Sequence, residues 1–203
     1  MNIYVVALVN LSPADVDAKI VAAAKVTYME GYLFDKPQAK AAFREAAKIA
    51  RASGRLTSIT LSDSFCVERH RADWLDLIKS SIDIVFANES EITSLYQTQN
   101  FDGAATAIAR DCPLAILTRS EHGSVVVQGN ERIVVPAFPV AKMVDATGAG
   151  DLFAAGFLFG HTKAKPLRQC AALGSLAAAE VISHIGPRPE VNLAKLAQMN
   201  GLI

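Results

Sequence analysis

Short β-branched runs alternate with helix-forming runs through the first 120 residues, and that alternation limits the folds open to the chain. IYVVALV (3–9), KVTYM (25–29), LTSITLS (56–62), IDIVFAN (82–88) and LAILTR (114–119) are strand-like. Between them lie a helix from about Ser12 to Ala24, an alanine-rich helix over 36–54 closed by Gly54, and a helix over 72–80. Two short helices follow, in SEITSLYQ and DGAATAIAR. Strands separated by whole helices cannot pair as hairpins. They pair in parallel, and the crossover helices cover the faces of the sheet. The expectation is an α/β fold forming a single domain over residues 1–203.

Local signals support these boundaries. Ser12-Pro13-Ala14-Asp15 places a capping serine before a proline at the first helical position, with Asp15 reaching back. After residue 120 the rhythm changes. GSVVVQGNERIVVPAF holds two β-branched runs split by Gly129-Asn130, the signature of a tight hairpin. A helix over about 149–162, a small-residue helix over 166–183 and a terminal helix over 192–200 complete the chain.

Charge excludes some functions. Lys and Arg together equal Asp and Glu, for a formal net charge of zero. No basic tail or block exists, so binding to nucleic acid or to an anionic membrane has little electrostatic support. The densest basic spot, Arg69-His70-Arg71, has Glu68 and Asp73 beside it and reads as a solvated loop. Cys66, Cys112 and Cys170 are far apart and form no C-x-x-C pair. They suit free or buried thiols in a reducing cytoplasm. The four histidines make no zinc pattern. No signal pattern and no apolar run of membrane-spanning length occurs. A cytoplasmic location is the expectation.

The chemistry concentrates in MVDATGAGDLFAAGF, residues 143–157. Gly148-Ala149-Gly150 opens a helix, where free backbone N–H groups attract anions and small residues allow close approach. Asp151 lies in the first turn. Its simplest role there is to complement the helix dipole. Yet a carboxylate beside an anion site would repel a bound phosphate. The conflict resolves if Asp151 faces an attacking hydroxyl and accepts its proton while the amides steady the transferring phosphoryl group. Other nucleotide motifs fit poorly. No Gly-Lys-Ser/Thr of a P-loop occurs, and Phe153 stands where the dinucleotide fingerprint needs its third glycine.

The stretch Asp145-Ala-Thr147-Gly148-Ala149-Gly150-Asp151 resembles the D-T-x-G-A-G-D signature of ribokinase-like (PfkB) carbohydrate kinases, with Ala146 in the second place. Asn88-Glu-Ser-Glu91 is similar to the family's N-x-x-E motif. Thr118-Arg-Ser-Glu-His-Gly123 is similar to its T-x-G-x-x-G nucleotide loop, with Arg119 and Ser120 as departures. The three occur in the family's order, each after a strand or hairpin. The surrounding sequence is closest to bacterial adenosine-kinase-like members.

That resemblance implies a three-layer α/β/α fold and an ATP-dependent kinase acting on a sugar or nucleoside hydroxymethyl group. It implies Asp151 as general base and the amides of Gly148, Ala149 and Gly150 as anion hole. It places Asn88 and Glu91 near Mg2+ and its waters. Thr118 and Gly123 flank the ATP phosphates and ribose, and Arg119 either reaches a phosphate or is simply exposed, while Gly174, Ser175 and Ala178 lie on the adenine side, where close helix packing explains the small residues equally well. Asp145 and Thr147 fall where many members bind a monovalent cation such as K+. The resemblance begins in the family's interior. It implies that the first strands, lid and sugar-contacting glycine motif are absent, that a sheet edge is left where a second copy could pair, and that the chain is an incomplete copy. A nucleotide-binding protein without turnover is the alternative.

Overall fold

The computed structural model describes residues 10–203. The strand expected over 3–9 therefore lies outside the described residues. The six described strands form one mainly parallel sheet in chain order, with helices packed on it. The described residues divide into two compact units, one up to residue 117 together with 128–130, the other of residues 118–127 with 131–203.

The first unit carries strands β1 (Val26–Glu30), β2 (Leu56–Thr60), β3 (Ile84–Asn88) and β4 (Leu114–Thr118), the last residue of which belongs to the second unit. β1 runs parallel to β2 with Val26 opposite Leu56, and β2 runs parallel to β3 with Ser58 opposite Ile84. The parallel arrangement follows from the crossovers: α2 (Pro37–Ala52) links β1 to β2, α3 (Ser64–Arg69) and α4 (Arg71–Ser81) link β2 to β3, and α5 (Glu89–Leu95) and α6 (Phe101–Asp111) link β3 to β4. Ile84 to Ala87 and Leu114 to Leu117 are continuously buried, as expected of strands covered on both faces. α2 starts at Pro37, where a missing N–H costs nothing, and buries Ala39, Ala42, Phe43, Ala46, Ala47 and Ala50 along one stripe. The Phe34 and Trp74 rings pack at 4.3 Å between centroids, tilted by 38°, and both are fully buried. Cys66 and Cys112 are buried free thiols in this unit, and Cys170 is one in the other.

The second unit holds β5 (Ser124–Gln128), β6 (Glu131–Val135), α7 (Ala149–His161), α8 (Leu167–Val181) and α9 (Leu193–Met199). β5 and β6 are joined by Gly129-Asn130, with Gly129 in the left-handed region at φ 54°, as the hairpin reading requires. α7 and α8 pack backbone to backbone. A Cβ on Gly156 would lie 2.6 Å from the Leu173 carbonyl, and one on Gly174 2.6 Å from the Phe153 carbonyl.

Three expectations need correction. The helix expected from Ser12 to Ala24 is broken. Pro13–Asp15 form a single 3-10 turn inside the anticipated capping box, and α1 (Ala18–Ala23) starts afresh because Asp17 accepts the N–H groups of Lys19 and Ile20. α3, not anticipated, is capped by Asp63 accepting the Phe65 N–H at 2.6 Å. Arg69-His70-Arg71 is no loop: it closes α3 and opens α4. His70 Nε2 lies 2.8 Å from Asp35, its Nδ1 3.0 Å from Lys40 Nζ, and Arg71 donates to the Leu95 carbonyl at 2.7 Å.

Candidate active site

In the second unit, the turn before α7 is shaped by hydrogen bonds to one of its two acids. The Val144 and Asp145 N–H groups donate to the Ile182 carbonyl at 2.8 and 3.4 Å. Asp145 Oδ1 accepts the Thr147 N–H at 2.9 Å and its hydroxyl at 2.7 Å, and Oδ2 accepts the Gly186 N–H at 3.0 Å. The Thr147 hydroxyl, then the Thr147 and Gly186 amides, hold the Asp145 carboxyl below its usual range. Gly148 caps α7 in the left-handed region at φ 82°. A Cβ there would stand 2.8 Å from Pro187 Cβ, so the 183–191 loop lies directly on the turn.

The other acid is left free. Asp151 is exposed and makes no hydrogen bond or ion pair among the described residues. Protein on one side still strips away enough water to raise its carboxyl above the usual range. Beside it, a Cβ on Gly150 would meet nothing within 4 Å. Of the three amides expected to form an anion hole, Ala149 donates at 3.2 Å to the Ala146 carbonyl. Those of Gly148 and Gly150 have no partner among the described residues. The two acids thus divide the work: Asp145 builds the turn, and Asp151 stands at its open mouth.

The 118–123 loop is held by its own backbone. The Arg119 N–H donates to the Gly123 carbonyl at 2.7 Å, around a 3-10 turn over Ser120–His122. Gly123 has φ 83°, and a Cβ on it would fall 2.1 Å from the Val135 carbonyl and 2.6 Å from the Ala137 nitrogen. From the other direction, Ser175 Oγ accepts the Phe138 N–H at 2.7 Å and lies 3.5 Å from the Pro136 carbonyl. The 136–138 segment is thereby fixed against Gly123 and Ser175. Gly174 backs onto Phe153, and Ala178 is half-buried on α8. Gly174 and Ser175 commit their contacts to the protein's own backbone.

In the first unit, Asn88 and Glu91 form the reciprocal cap of α5. The Asn88 N–H and Nδ2 donate to the two Glu91 oxygens at 2.9 and 2.7 Å, and the Glu91 N–H donates to Asn88 Oδ1 at 2.8 Å. Glu91 is only 6% exposed. Burial pushes its carboxyl up to about 7, and the Asp63 and Glu30 carboxylates add to that. Glu30 ends β1 and accepts the Ser62 hydroxyl, Asp63 follows β2, and Asn88 ends β3. Ligands of parallel sheets gather at such strand ends. Sequence reading missed Glu30, Ser62 and Asp63. The one signal it had was their place just after strands.

This donor set consists of oxygens, which suits Mg2+. Both Glu91 oxygens are already held by Asn88, and no group of three or more His, Cys, Asp or Glu side chains among the described residues is arranged to hold a metal. The residues therefore fit only an ion that keeps its waters. A monovalent cation at Asp145 and Thr147 fits less well, because hydrogen bonds already close that turn.

Comparison with known proteins places the chain. Residues 2–192 match the pfkB family carbohydrate kinase profile. An adenosine kinase structure from Sinorhizobium meliloti is 56% identical with a TM-score of 0.92, covering 95% of this chain and 59% of its own. A structure described as a probable sugar kinase from Rhizobium etli CFN 42 is 54% identical with a TM-score of 0.94, covering 96% of this chain and 59% of its own. A cytidine kinase of Thermococcus kodakarensis is 34% identical over 140 residues, 67% of this chain and 50% of the kinase. The chain thus spans about half to three fifths of the length of these relatives. No helix among the described residues is long and apolar enough to cross a membrane.

Proposed function

Because the chain belongs to the PfkB family of carbohydrate kinases, we propose that its glycine turn transfers the γ-phosphoryl group of ATP to a hydroxymethyl group of a sugar or nucleoside, adenosine first among them. The observation that carries the proposal is the Asp151 carboxylate, free of partners beside the open amide of Gly150 at the start of α7. An acid at the third helical position placed only to cap would reach back to the N–H of the capping residue, as Glu91 does in α5. Asp151 makes no such bond, and the Gly148 and Gly150 amides stay open to an anion.

The chemistry follows from that geometry. The acceptor oxygen forms a bond to the γ-phosphorus as the bond to the bridging oxygen breaks, and ADP leaves with that electron pair. Asp151 takes the hydroxyl proton. Its carboxyl, raised by partial burial, is a better proton acceptor than an ordinary aspartate. The Gly148 and Gly150 amides and the positive end of α7 steady the charge on the equatorial oxygens. Bound Mg2+ supplies charge neutralisation along the phosphates. Asn88 and Glu91 order its waters, and Thr118 to Gly123 line the nucleotide side, with Arg119 reaching for a phosphate. Gly174, Ser175 and Ala178 shape that side through packing. Three buried free thiols suit a reducing compartment that holds ATP.

The test is ADP release by the purified chain with adenosine, ribose and other sugars, with ATP binding measured alongside by calorimetry. Turnover with at least one acceptor supports the proposal. Binding of ATP with no turnover on any of them overturns it in favour of a nucleotide-binding protein.

A further inference from the structure

Glu180 breaks two local rules. It lies in the last turn of α8, where a negative charge opposes the helix dipole, and its side chain is only 8% exposed. One of its oxygens, Oε2, is buried without a partner among the described residues. A carboxylate so placed costs stability. What it receives in return comes from ten residues further along: Oε1 accepts the N–H groups of Glu190 and Val191 at 2.9 and 3.3 Å. His184 Nε2 lies 3.4 Å from the same oxygen.

The loop between these contacts has no regular structure of its own. It carries Pro187, Pro189 and a left-handed Gly186 at φ 96°. Its middle is what touches the glycine turn. The Gly186 N–H donates to Asp145 Oδ2, and Pro187 stands against Gly148. We propose that Glu180 is a positioning residue: by fastening the far end of the 183–191 loop to α8, it holds Gly186 and Pro187 against the turn and so sets the shape of the anion hole. A local rule broken at a costly buried site, with a loop on the candidate centre as its beneficiary, is the pattern expected of a functional compensation. The role at the anion hole rests on the phosphoryl-transfer reading above, whereas the fastening itself does not.

The experiment measures amide exchange at Gly186, Glu190 and Val191 in the full chain, for wild type, Glu180→Ala and Glu180→Gln. Glutamine keeps a side-chain carbonyl that accepts the same N–H groups. The expected result is exchange at Gly186 faster by about tenfold or more in Glu180→Ala, and restored in Glu180→Gln. Turnover should fall and return in parallel. Glu190→Pro deletes a donor from the loop side and should also loosen Gly186, which decides the matter if Glu180→Ala does not fold. Unchanged exchange at Gly186 in Glu180→Ala or Glu190→Pro, or no rescue by glutamine, overturns the inference. A wild-type chain without turnover would count against the kinase reading, and the exchange data would still decide this one.

Discussion

Two glycines two positions apart should respond to the same substitution in opposite ways. Gly148→Ala forces an alanine into a left-handed conformation, φ 82°, which costs about 1–2 kcal/mol. The new Cβ would stand 2.8 Å from Pro187 Cβ, against 3.4 Å for ordinary contact, an overlap of 0.6 Å. Pro187 is a stiff ring in a loop tied to Asp145 and Glu180, so relief needs backbone movement, worth roughly another 1–3 kcal/mol. Gly148→Ala should therefore lose about 2–5 kcal/mol of folding stability. Gly150→Ala meets no atom within 4 Å and sits in the first turn of α7 at an ordinary φ. It should fold at least as well as wild type, with a gain of up to about 1 kcal/mol. Its methyl group, however, enters the open space where the proposal seats the phosphates, so ATP affinity and turnover should fall. Urea denaturation followed by circular dichroism gives the stabilities, and calorimetry with ADP release gives the function. The reasoning is refuted if Gly148→Ala unfolds at the wild-type midpoint, or if Gly150→Ala binds ATP and turns over as wild type does.

Gly174→Ala places a Cβ 2.6 Å from the Phe153 carbonyl, and backbone cannot swing aside. It should cost roughly 1–3 kcal/mol in urea denaturation; a stability change below about 0.5 kcal/mol would show that α7 and α8 do not pack through this glycine. Glu91 has its carboxyl raised from 4.5 to about 7 in the fold, so the folded state disfavours its charged form. Its contribution is most favourable below the unfolded value, declines as pH rises from 4.5 to about 7, and is level above that, a difference of roughly 3 kcal/mol. Denaturation midpoints between pH 4 and 8 should show this decline in wild type and lose it in Glu91→Gln; equal slopes in the two proteins would contradict it.

Features set by neighbours in the chain were legible from sequence. The Ser12–Asp15 box, the Gly129-Asn130 hairpin and the start of α7 each depend on residues within a few positions, and each was found where expected. The strands of the parallel sheet announced themselves through buried β-branched runs. What stayed hidden depends on distant partners. Ser175 reads as a small residue in a small-residue helix until Phe138, 37 positions away, is seen to donate to it. Glu180 reads as a surface acid until the loop that returns to it is traced. Asp145 and Asp151 take different roles already in the motif, but the bond that ties Asp145 to the Gly186 amide, 41 positions away, shows only once the returning loop is traced. α3 was missed because six residues are too few to establish a helical period.

The central claim is that Asp151 removes the acceptor's proton while the turn holds the phosphate. The most direct measurement is single-turnover transfer of labelled γ-phosphate from ATP to acceptor, comparing wild type with Asp151→Asn. Asparagine preserves size and cannot accept the proton, so transfer should fall by about 100-fold or more while ATP affinity is retained. Transfer at the wild-type rate in Asp151→Asn would contradict the account.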